Sequence, residues 1–124
     1  MTPFVFAAAA AALAKPEPGR ISARIFGHGT MQLRWYAPRG TDAQTPHEQD
    51  EIYVVVTGQG MFRRGEEVQP FEPGDAIFVP AGIVHRFEDF SDDLGIWVVF
   101  YGPQGVEAGG IEAGGGEAGG GKAG

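Results

Sequence analysis

The sequence predicts an all-β fold, a sandwich or barrel built from about eight short strands. Between residues 19 and 103, apolar and polar residues alternate in short runs, which is typical of strands that bury one face. Turn sequences rich in glycine and proline separate the runs. No stretch between them has the periodicity of a crossover helix, which argues against a parallel α/β sheet.

The first three strands are predicted from alternation and from β-branched residues. In Arg20–Phe26 and in Met31–Trp35, apolar residues occupy every second position. Gly27-His28-Gly29 between them predicts a turn or a bulge. After a predicted loop at Pro38–Pro46, Glu51–Thr57 contains the β-branched run expected of a strand.

The next two strands are shorter and are bounded by tight turns. Gly58-Gln59-Gly60 turns the chain back into Met61–Arg63, as in a β-hairpin. In Val68–Phe71, Pro70 predicts an edge strand because proline cannot donate a ladder hydrogen bond. Glu72-Pro73-Gly74-Asp75 then predicts a further turn.

Three more strands complete the pattern. Ala76–Val79 is separated from Val84–Glu88 by the turn sequence Pro80-Ala81-Gly82. Ser91-Asp92-Asp93 predicts the turn before the last strand, Leu94–Tyr101. Together the eight strands define a predicted barrel domain over residues 19–104.

Residues 1–18 are predicted to form a short helix that packs on the barrel. The alanine run before Leu13 favours a helix, Pro3 suits its start, and Lys15-Pro16 suits its end. The apolar start also resembles a signal peptide, but no basic residue precedes Lys15. The apolar run is too short to cross a bilayer.

Residues 105–124 are predicted to be a disordered tail. Glu-Ala-Gly-Gly repeats begin at Glu107, Glu112 and Glu117, so the segment offers almost no apolar surface. Burial therefore cannot offset the entropy lost on ordering.

Composition excludes several classes of function. The chain has 124 residues and a formal net charge of -7, and its basic residues form no cluster larger than Arg63-Arg64, which argues against nucleic-acid partners. It contains no cysteine, which excludes thiolate metal sites and disulfides and is compatible with the cytoplasm. We expect a cytoplasmic protein that does not associate with membranes.

Three side chains form a candidate metal site. His47, Glu51 and His85 offer two imidazoles and a carboxylate, a set that suits Fe, Mn, Ni, Zn or Cu better than Ca or Mg. His47 and Glu51 point to the same side if their segment is extended, because side chains four residues apart share a face of a strand. The inward faces of a small barrel can bring His85 to them.

These residues carry a resemblance to small single-domain cupins. Glu51 followed by six residues and Gly58 resembles the end of the first cupin motif, and His47 stands at the place of its second histidine. The second motif is matched at every spacing by Gly74, Pro80, Gly82 and His85. The resemblance implies a double-stranded β-helix, also called a jelly-roll barrel, and metal binding by His47, Glu51 and His85.

The chain departs from the cupin pattern at two positions. Thr45 stands where the family has its first metal-binding histidine, and Asp89 stands where the second motif ends in asparagine. Three protein ligands leave positions open for water or substrate, as catalytic sites require. We therefore add further candidate ligand or pocket positions, which are Thr45, Gln49, Tyr53, Phe87 and Asp89.

The sequence alone leaves two functions open. The first is a metal-dependent enzyme of the dioxygenase, isomerase or lyase type that acts on a small organic substrate, with Fe, Mn, Ni or Zn as cofactor. The second is a non-catalytic barrel that binds or senses a small molecule, with or without metal. If no metal binds, Glu51 needs another cation or a proton, and Arg24, Arg34 and Arg86 are the basic strand residues that could supply the cation. The resemblance and the long apolar strands also predict a homodimer.

Overall fold

The computed structural model describes residues 3–103 of the chain. One helix, α1, spans Ala8–Ala11 and buries Ala11. Eight strands follow, β1 Ala23–His28, β2 Met31–Tyr36, β3 Asp50–Thr57, β4 Gly60–Arg64, β5 Glu67–Phe71, β6 Ala76–Val79, β7 His85–Glu88 and β8 Gly95–Tyr101. The predicted tail, residues 105–124, lies outside the described residues.

The strands form two sheets, and every pairing between neighbours is antiparallel. The larger sheet has the order β1-β2-β8-β3-β6, and the smaller one has the order β5-β4-β7. Neighbours that are distant in sequence, such as β3 and β8, are characteristic of a jelly roll rather than a meander. The predicted all-β fold is confirmed, and Pro70 lies in an edge strand as expected.

The core lies between the two sheets and is filled by alternate residues. On β3, Glu51, Tyr53 and Val55 are buried, whereas the residues between them are half-buried. Large rings from the smaller sheet meet them, since the ring centroids of Tyr53 and Phe87 lie 5.0 Å apart. The buried carboxylate of Glu51 is therefore part of the wall of an aromatic core.

The first strand differs from the prediction. It runs from Ala23 to His28, so the residues predicted as the turn mostly continue the strand. The register shifts between Arg24 and Phe26, and the actual turn follows at Gly29, whose φ is +58°. Glycine adopts this left-handed conformation at little cost, which explains why the hairpin reverses there.

The segment before β1 covers a buried arginine. Arg34 on β2 is fully buried, and its Nη2 lies 2.7 Å from Glu17 Oε1. Arg34 also donates to the hydroxyl and carbonyl of Ser22 and to Gln32 Oε1. This arginine, one of the three considered as partners for Glu51, therefore serves to anchor the N-terminal segment. Of the other two, Arg86 pairs with Glu88 at 2.7 Å, and Arg24 is exposed.

The outer face of the larger sheet is apolar. Its side chains alternate with those of the core and are half-buried, and they include Leu33, Ile52, Val54, Val56, Trp97 and Val99.

In the part of the chain that the structure describes, no helix is long and apolar enough to cross a membrane.

Candidate metal centre

Three separate segments position the candidate ligands. Glu51 lies on β3 with its side chain turned into the core. His47 precedes β3 in the loop that follows β2, and His85 is the first residue of β7 in the smaller sheet. The cluster therefore joins the two sheets at one end of the sandwich.

The candidate ligand atoms converge. One atom from each of His47, Glu51 and His85 lies within 4.8 Å of the other two. Glu51 Oε1 is 3.6 Å from His47 Nε2 and 3.0 Å from His85 Nε2. Two imidazole nitrogens and one carboxylate oxygen thus face a common point, as the sequence predicted from spacing.

With both histidines neutral, the cluster has acceptors but lacks donors. Glu51 is 1% exposed, and in that state neither of its carboxylate oxygens has a hydrogen-bond donor among the described residues. His85 Nδ1 lies 2.9 Å from the carbonyl oxygen of Ile83, which can only accept, so Nδ1 carries a hydrogen. In the neutral ring, His85 Nε2 then presents a lone pair to Glu51. Such a set fits a cation, because a buried carboxylate without a partner is costly.

The electrostatic environment shifts the pKa values of the two histidines in opposite directions. Burial lowers the pKa of His47, and the charge of Glu51 only partly opposes this. Burial also acts to lower the pKa of His85, but its hydrogen bond to Glu51 and the charge of Glu51 raise that pKa overall. A proton shared between His85 and Glu51 is thus the form of the cluster that competes with a metal ion.

A fourth side chain, not selected from the sequence, reaches the same point. Gln44 Oε1 lies 3.2 Å from His47 Nε2 and 3.2 Å from His85 Nε2. The Tyr53 hydroxyl donates to the same oxygen at 2.8 Å. Gln44 belongs to the β2–β3 loop, where alternation does not predict the direction of a side chain. The only feature of the sequence that could have indicated Gln44 is an amide side chain three residues before His47.

Asp42 holds Gln44 in place. Gln44 Nε2 donates to Asp42 Oδ2 at 2.7 Å, and the backbone N–H of Phe87 donates to the same oxygen at 2.8 Å. The Tyr36 hydroxyl donates to Asp42 Oδ1. Asp42 therefore ties the loop to both sheets beside the cluster.

The structure brings some of the other predicted positions near the cluster. Tyr53 is buried beside it, and burial together with the charge of Glu51 raises the pKa of the Tyr53 hydroxyl well above its usual value. Phe87 is also buried and supports Tyr53 through its ring. Thr45 is exposed at the surface near His47.

Gln49 and Asp89 are not brought into the cluster. The amide of Gln49 donates to the carbonyl oxygens of Thr30 and Gly102, at 3.0 Å and 2.8 Å. Asp89 is exposed after β7 and has a φ of 50°. The role of His47, Glu51 and His85 as ligands stays a prediction from geometry and chemistry.

A surface cavity gives access to the cluster from one side. It has a volume of about 500 Å³ and is lined by His47 together with Arg20, Thr45, Glu48, Gln49 and Phe100. The Phe100 ring packs against His47, with their centroids 4.9 Å apart. A second cavity, of about 300 Å³, lies between β5 and β6 and includes none of the cluster residues.

Comparison with known families gives one match that covers more than half of the chain. A family model described as the Cupin domain matches residues 33–101. A solved structure from Thermus thermophilus superposes with a TM-score of 0.54 and 32% identity, covering 72% of this chain and 90% of that one.

Two curated proteins are similar over shorter stretches. An uncharacterised protein of Streptomyces coelicolor is 44% identical over 64 residues, which are 52% of this chain and 61% of that protein. An acireductone dioxygenase of Leishmania infantum is 38% identical over 60 residues, which are 44% of this chain and 17% of that enzyme. The chain thus spans less than two thirds of the length of either protein.

Proposed function

The chain belongs to the cupin family, and on that premise we propose that it is a metal-dependent enzyme acting on a small organic molecule. His47, Glu51 and His85 hold a divalent transition metal, which is Fe, Mn, Ni or Zn. When bound, such a metal supplies a Lewis acid or a redox centre for dioxygenation, isomerisation or lyase chemistry.

The observation that carries the proposal is the environment of Glu51. Its two oxygens are buried and lack a donor while the histidines are neutral, and the Nε2 atoms of His47 and His85 lie 3.6 Å and 3.0 Å from its Oε1. A structural role alone would favour apolar packing or an arginine partner at this place. A metal ion instead converts the convergent acceptors into ligands.

The remaining residues of the site bind and orient the substrate. His47 is half-buried at the border between the cluster and the surface cavity, so substrate approaches the metal from that side. The aromatic rings of Phe62 and Phe100 flank His85 and His47 and exclude water from the inner side. Tyr53, which stays protonated, holds its hydroxyl hydrogen toward Gln44.

The similarity to an acireductone dioxygenase supports an enzyme rather than an inert barrel. It covers only 17% of that enzyme, so it supports membership in a family that includes enzymes and leaves the reaction and the substrate of this chain open.

Metal analysis of protein purified without added metal tests the proposal. We expect about one transition-metal ion per chain, lost in His47→Ala and in His85→Ala. His28→Ala is the matched control, because His28 is exposed at the end of β1 and lies outside the cluster. Metal-free wild-type protein that also fails to take up added Fe, Mn, Ni or Zn contradicts the proposal.

A non-catalytic binding or sensor role is the second candidate, and one observation favours it. Besides the ligands, neither Tyr53 nor Asp89 is suited to act as a general base, since Tyr53 stays protonated and Asp89 lies outside the cluster. A stoichiometric redox-active metal favours the enzyme. Ligand binding by a metal-free protein favours the binding role.

We also propose a cytoplasmic homodimer that pairs through the apolar outer face of the larger sheet. Half-buried residues such as Val54 and Trp97 on this face would be buried by a second copy. Light scattering after size exclusion is expected to give twice the chain mass for the wild type and the chain mass for Val54→Asp. A monomeric wild type contradicts this arrangement.

A further inference from the structure

We propose that the side-chain oxygen of Gln44 is a fourth protein ligand of the metal, so that an amide replaces the first histidine of the cupin motif. The inference rests on the proposed metal site formed by His47, Glu51 and His85. It concerns a residue that neither the motif spacing nor the family match assigns.

The distances place Gln44 at the point where the other ligands converge. Gln44 Oε1 is 3.2 Å from the Nε2 atoms of both His47 and His85, the same nitrogens that face Glu51. Because His85 Nδ1 donates to Ile83, Nε2 of the neutral ring and the Gln44 oxygen are both acceptors, and they lie 3.2 Å apart. Two facing acceptors need a cation or a proton between them. A shared metal meets this need for His47, His85 and Gln44 together.

The orientation of the amide is set by Asp42. Its Oδ2 accepts from Gln44 Nε2 at 2.7 Å and from the backbone N–H of Phe87 at 2.8 Å, and its Oδ1 accepts from Tyr36. A flipped amide would turn the oxygen of Gln44 against this carboxylate. Asp42 is thus a positioning residue that keeps the oxygen toward the cluster. The Tyr53 hydroxyl uses one lone pair of that oxygen and leaves the second available.

The neighbouring threonine does not take this place. Thr45 occupies the motif position of the missing histidine, yet its side chain is exposed and lines the outer cavity. With Gln44 the site has two nitrogen and two oxygen ligands and a single negative charge from Glu51. Compared with a three-histidine site, this set shifts preference toward metals that accept oxygen ligands, such as Fe(II) and Mn(II), and away from Zn and Cu.

Titration of the full-length chain with Co(II) tests the inference, because the visible absorption of Co(II) reports its ligands. We expect Gln44→Leu to raise the Kd for Co(II) by about tenfold or more and to shift the absorption band. Loss of groups that merely orient ligands already weakens metal binding by roughly 10–100-fold. Asp42→Asn, which permits the amide to flip, is expected to raise the Kd by about tenfold.

Two controls separate the inference from general effects. Gln69→Leu makes the same chemical change on the exposed strand β5 and should leave both the Kd and the spectrum unchanged. Thr45→Val tests the motif position and should likewise have no effect. Circular dichroism verifies that each variant is folded, and Asp42→Asn supplies a second measurement if Gln44→Leu is not.

The outcomes distinguish this inference from the proposed function. Wild-type protein that binds no Co(II) overturns both. Tight Co(II) binding by the wild type, with Kd and spectrum unchanged in folded Gln44→Leu and Asp42→Asn, overturns the role of Gln44 alone. An effect of Thr45→Val without an effect of Gln44→Leu assigns the fourth position to threonine instead.

Discussion

Two charged side chains of opposite sign are buried in this molecule, and their surroundings differ. Arg34 is 0% exposed, and each of its three guanidinium nitrogens donates to an oxygen. Glu51 is 1% exposed, and while His85 is neutral neither of its oxygens accepts from a donor among the described residues. The arginine is thus fully paired within the chain, whereas the carboxylate is paired only when His85 is protonated or a cation is added.

The difference separates a charge that is paired within the fold from one that the proposed metal would pair. A buried charge that is fully paired contributes to fixing one arrangement of the chain, in this case the N-terminal segment against β2. A buried charge without a partner destabilises the fold unless a ligand binds it. Burial alone therefore does not identify the site, and the hydrogen-bond partners do.

Removing the paired charge is expected to have the largest effect on stability. Arg34→Ala leaves the buried hydroxyl and carbonyl oxygens of Ser22 without their donor and opens a cavity, and we expect a loss of about 3–5 kcal/mol in the free energy of unfolding. Urea denaturation measures it. Arg24→Ala is the matched control, because Arg24 lies opposite Arg34 in the register of β1 and β2 but its side chain is exposed. A loss no larger than that of the control contradicts the role of Arg34.

Neutralising the unpaired charge is expected to act in the opposite direction. In metal-free protein at a pH where His85 is neutral, Glu51→Gln removes the buried charge and supplies an N–H for the histidine nitrogens, so we expect a gain of about 1–3 kcal/mol. The same variant should lose the stabilisation by metal, about 2.7 kcal/mol for the wild type at a metal concentration roughly 100 times Kd. Equal loss of stability in Glu51→Gln and Arg34→Ala would remove the contrast between them.

Metal affinity is expected to fall as pH falls, because protons compete for the imidazoles. The raised pKa of His85 in the metal-free protein makes this competition begin above the usual histidine value of 6.5, whereas the lowered pKa of His47 delays its part. We expect affinity to fall about tenfold per pH unit for each histidine that protonates. Competition titrations from about pH 8 to about pH 5 measure it, and a flat profile contradicts imidazole ligation.

The stability of the metal-free protein should depend on pH in the opposite direction and decrease as pH rises. Since the folded pKa of His85 is raised above 6.5, its protonated form stabilises the fold at low pH. That contribution is lost as pH rises through the folded pKa. Glu51→Gln, which lacks the negative charge, should not show this loss.

The smallest expected effect concerns the counterion of Arg34. A backbone hydrogen bond, with Arg34 adding to it, lowers the pKa of Glu17 from 4.5 to about 2. A lowered folded pKa means that this contribution is present above pH 4.5 and is lost as pH falls toward about 2. Denaturation of wild type and Glu17→Gln at several pH values should show the two stabilities converging over this window. A constant difference contradicts the pairing.

Most of the fold and the three candidate ligands follow from the sequence. Alternation and turn residues predicted strands at all eight places, because burial on one face imposes a period of two. The spacing from His47 to Glu51 and the second motif at His85 predicted a cluster that is present in the structure. These inferences succeed where side-chain direction is fixed by the strand.

The contacts that the sequence did not predict lie where strand alternation does not determine the surroundings of a side chain. Gln44 and Asp42 lie in the loop between β2 and β3, whose path depends on contacts with Tyr36 and Phe87. Arg34 occupies one of the polar positions of an alternating strand, which suggests solvent, but the N-terminal segment covers it. Neither contact is visible from local sequence, because each joins residues distant along the chain.

The loop that carries Asp42 and Gln44 leads directly to His47 and Glu51. With the fourth ligand proposed above, all the proposed ligands except His85 therefore lie on one continuous stretch, from Asp42 to Glu51. A single exchange of this stretch between related barrels would transfer the choice of metal, provided that the recipient keeps the histidine that begins β7. Metal preference in such a barrel can thus be transferred, in evolution or by engineering, with one short segment of the chain.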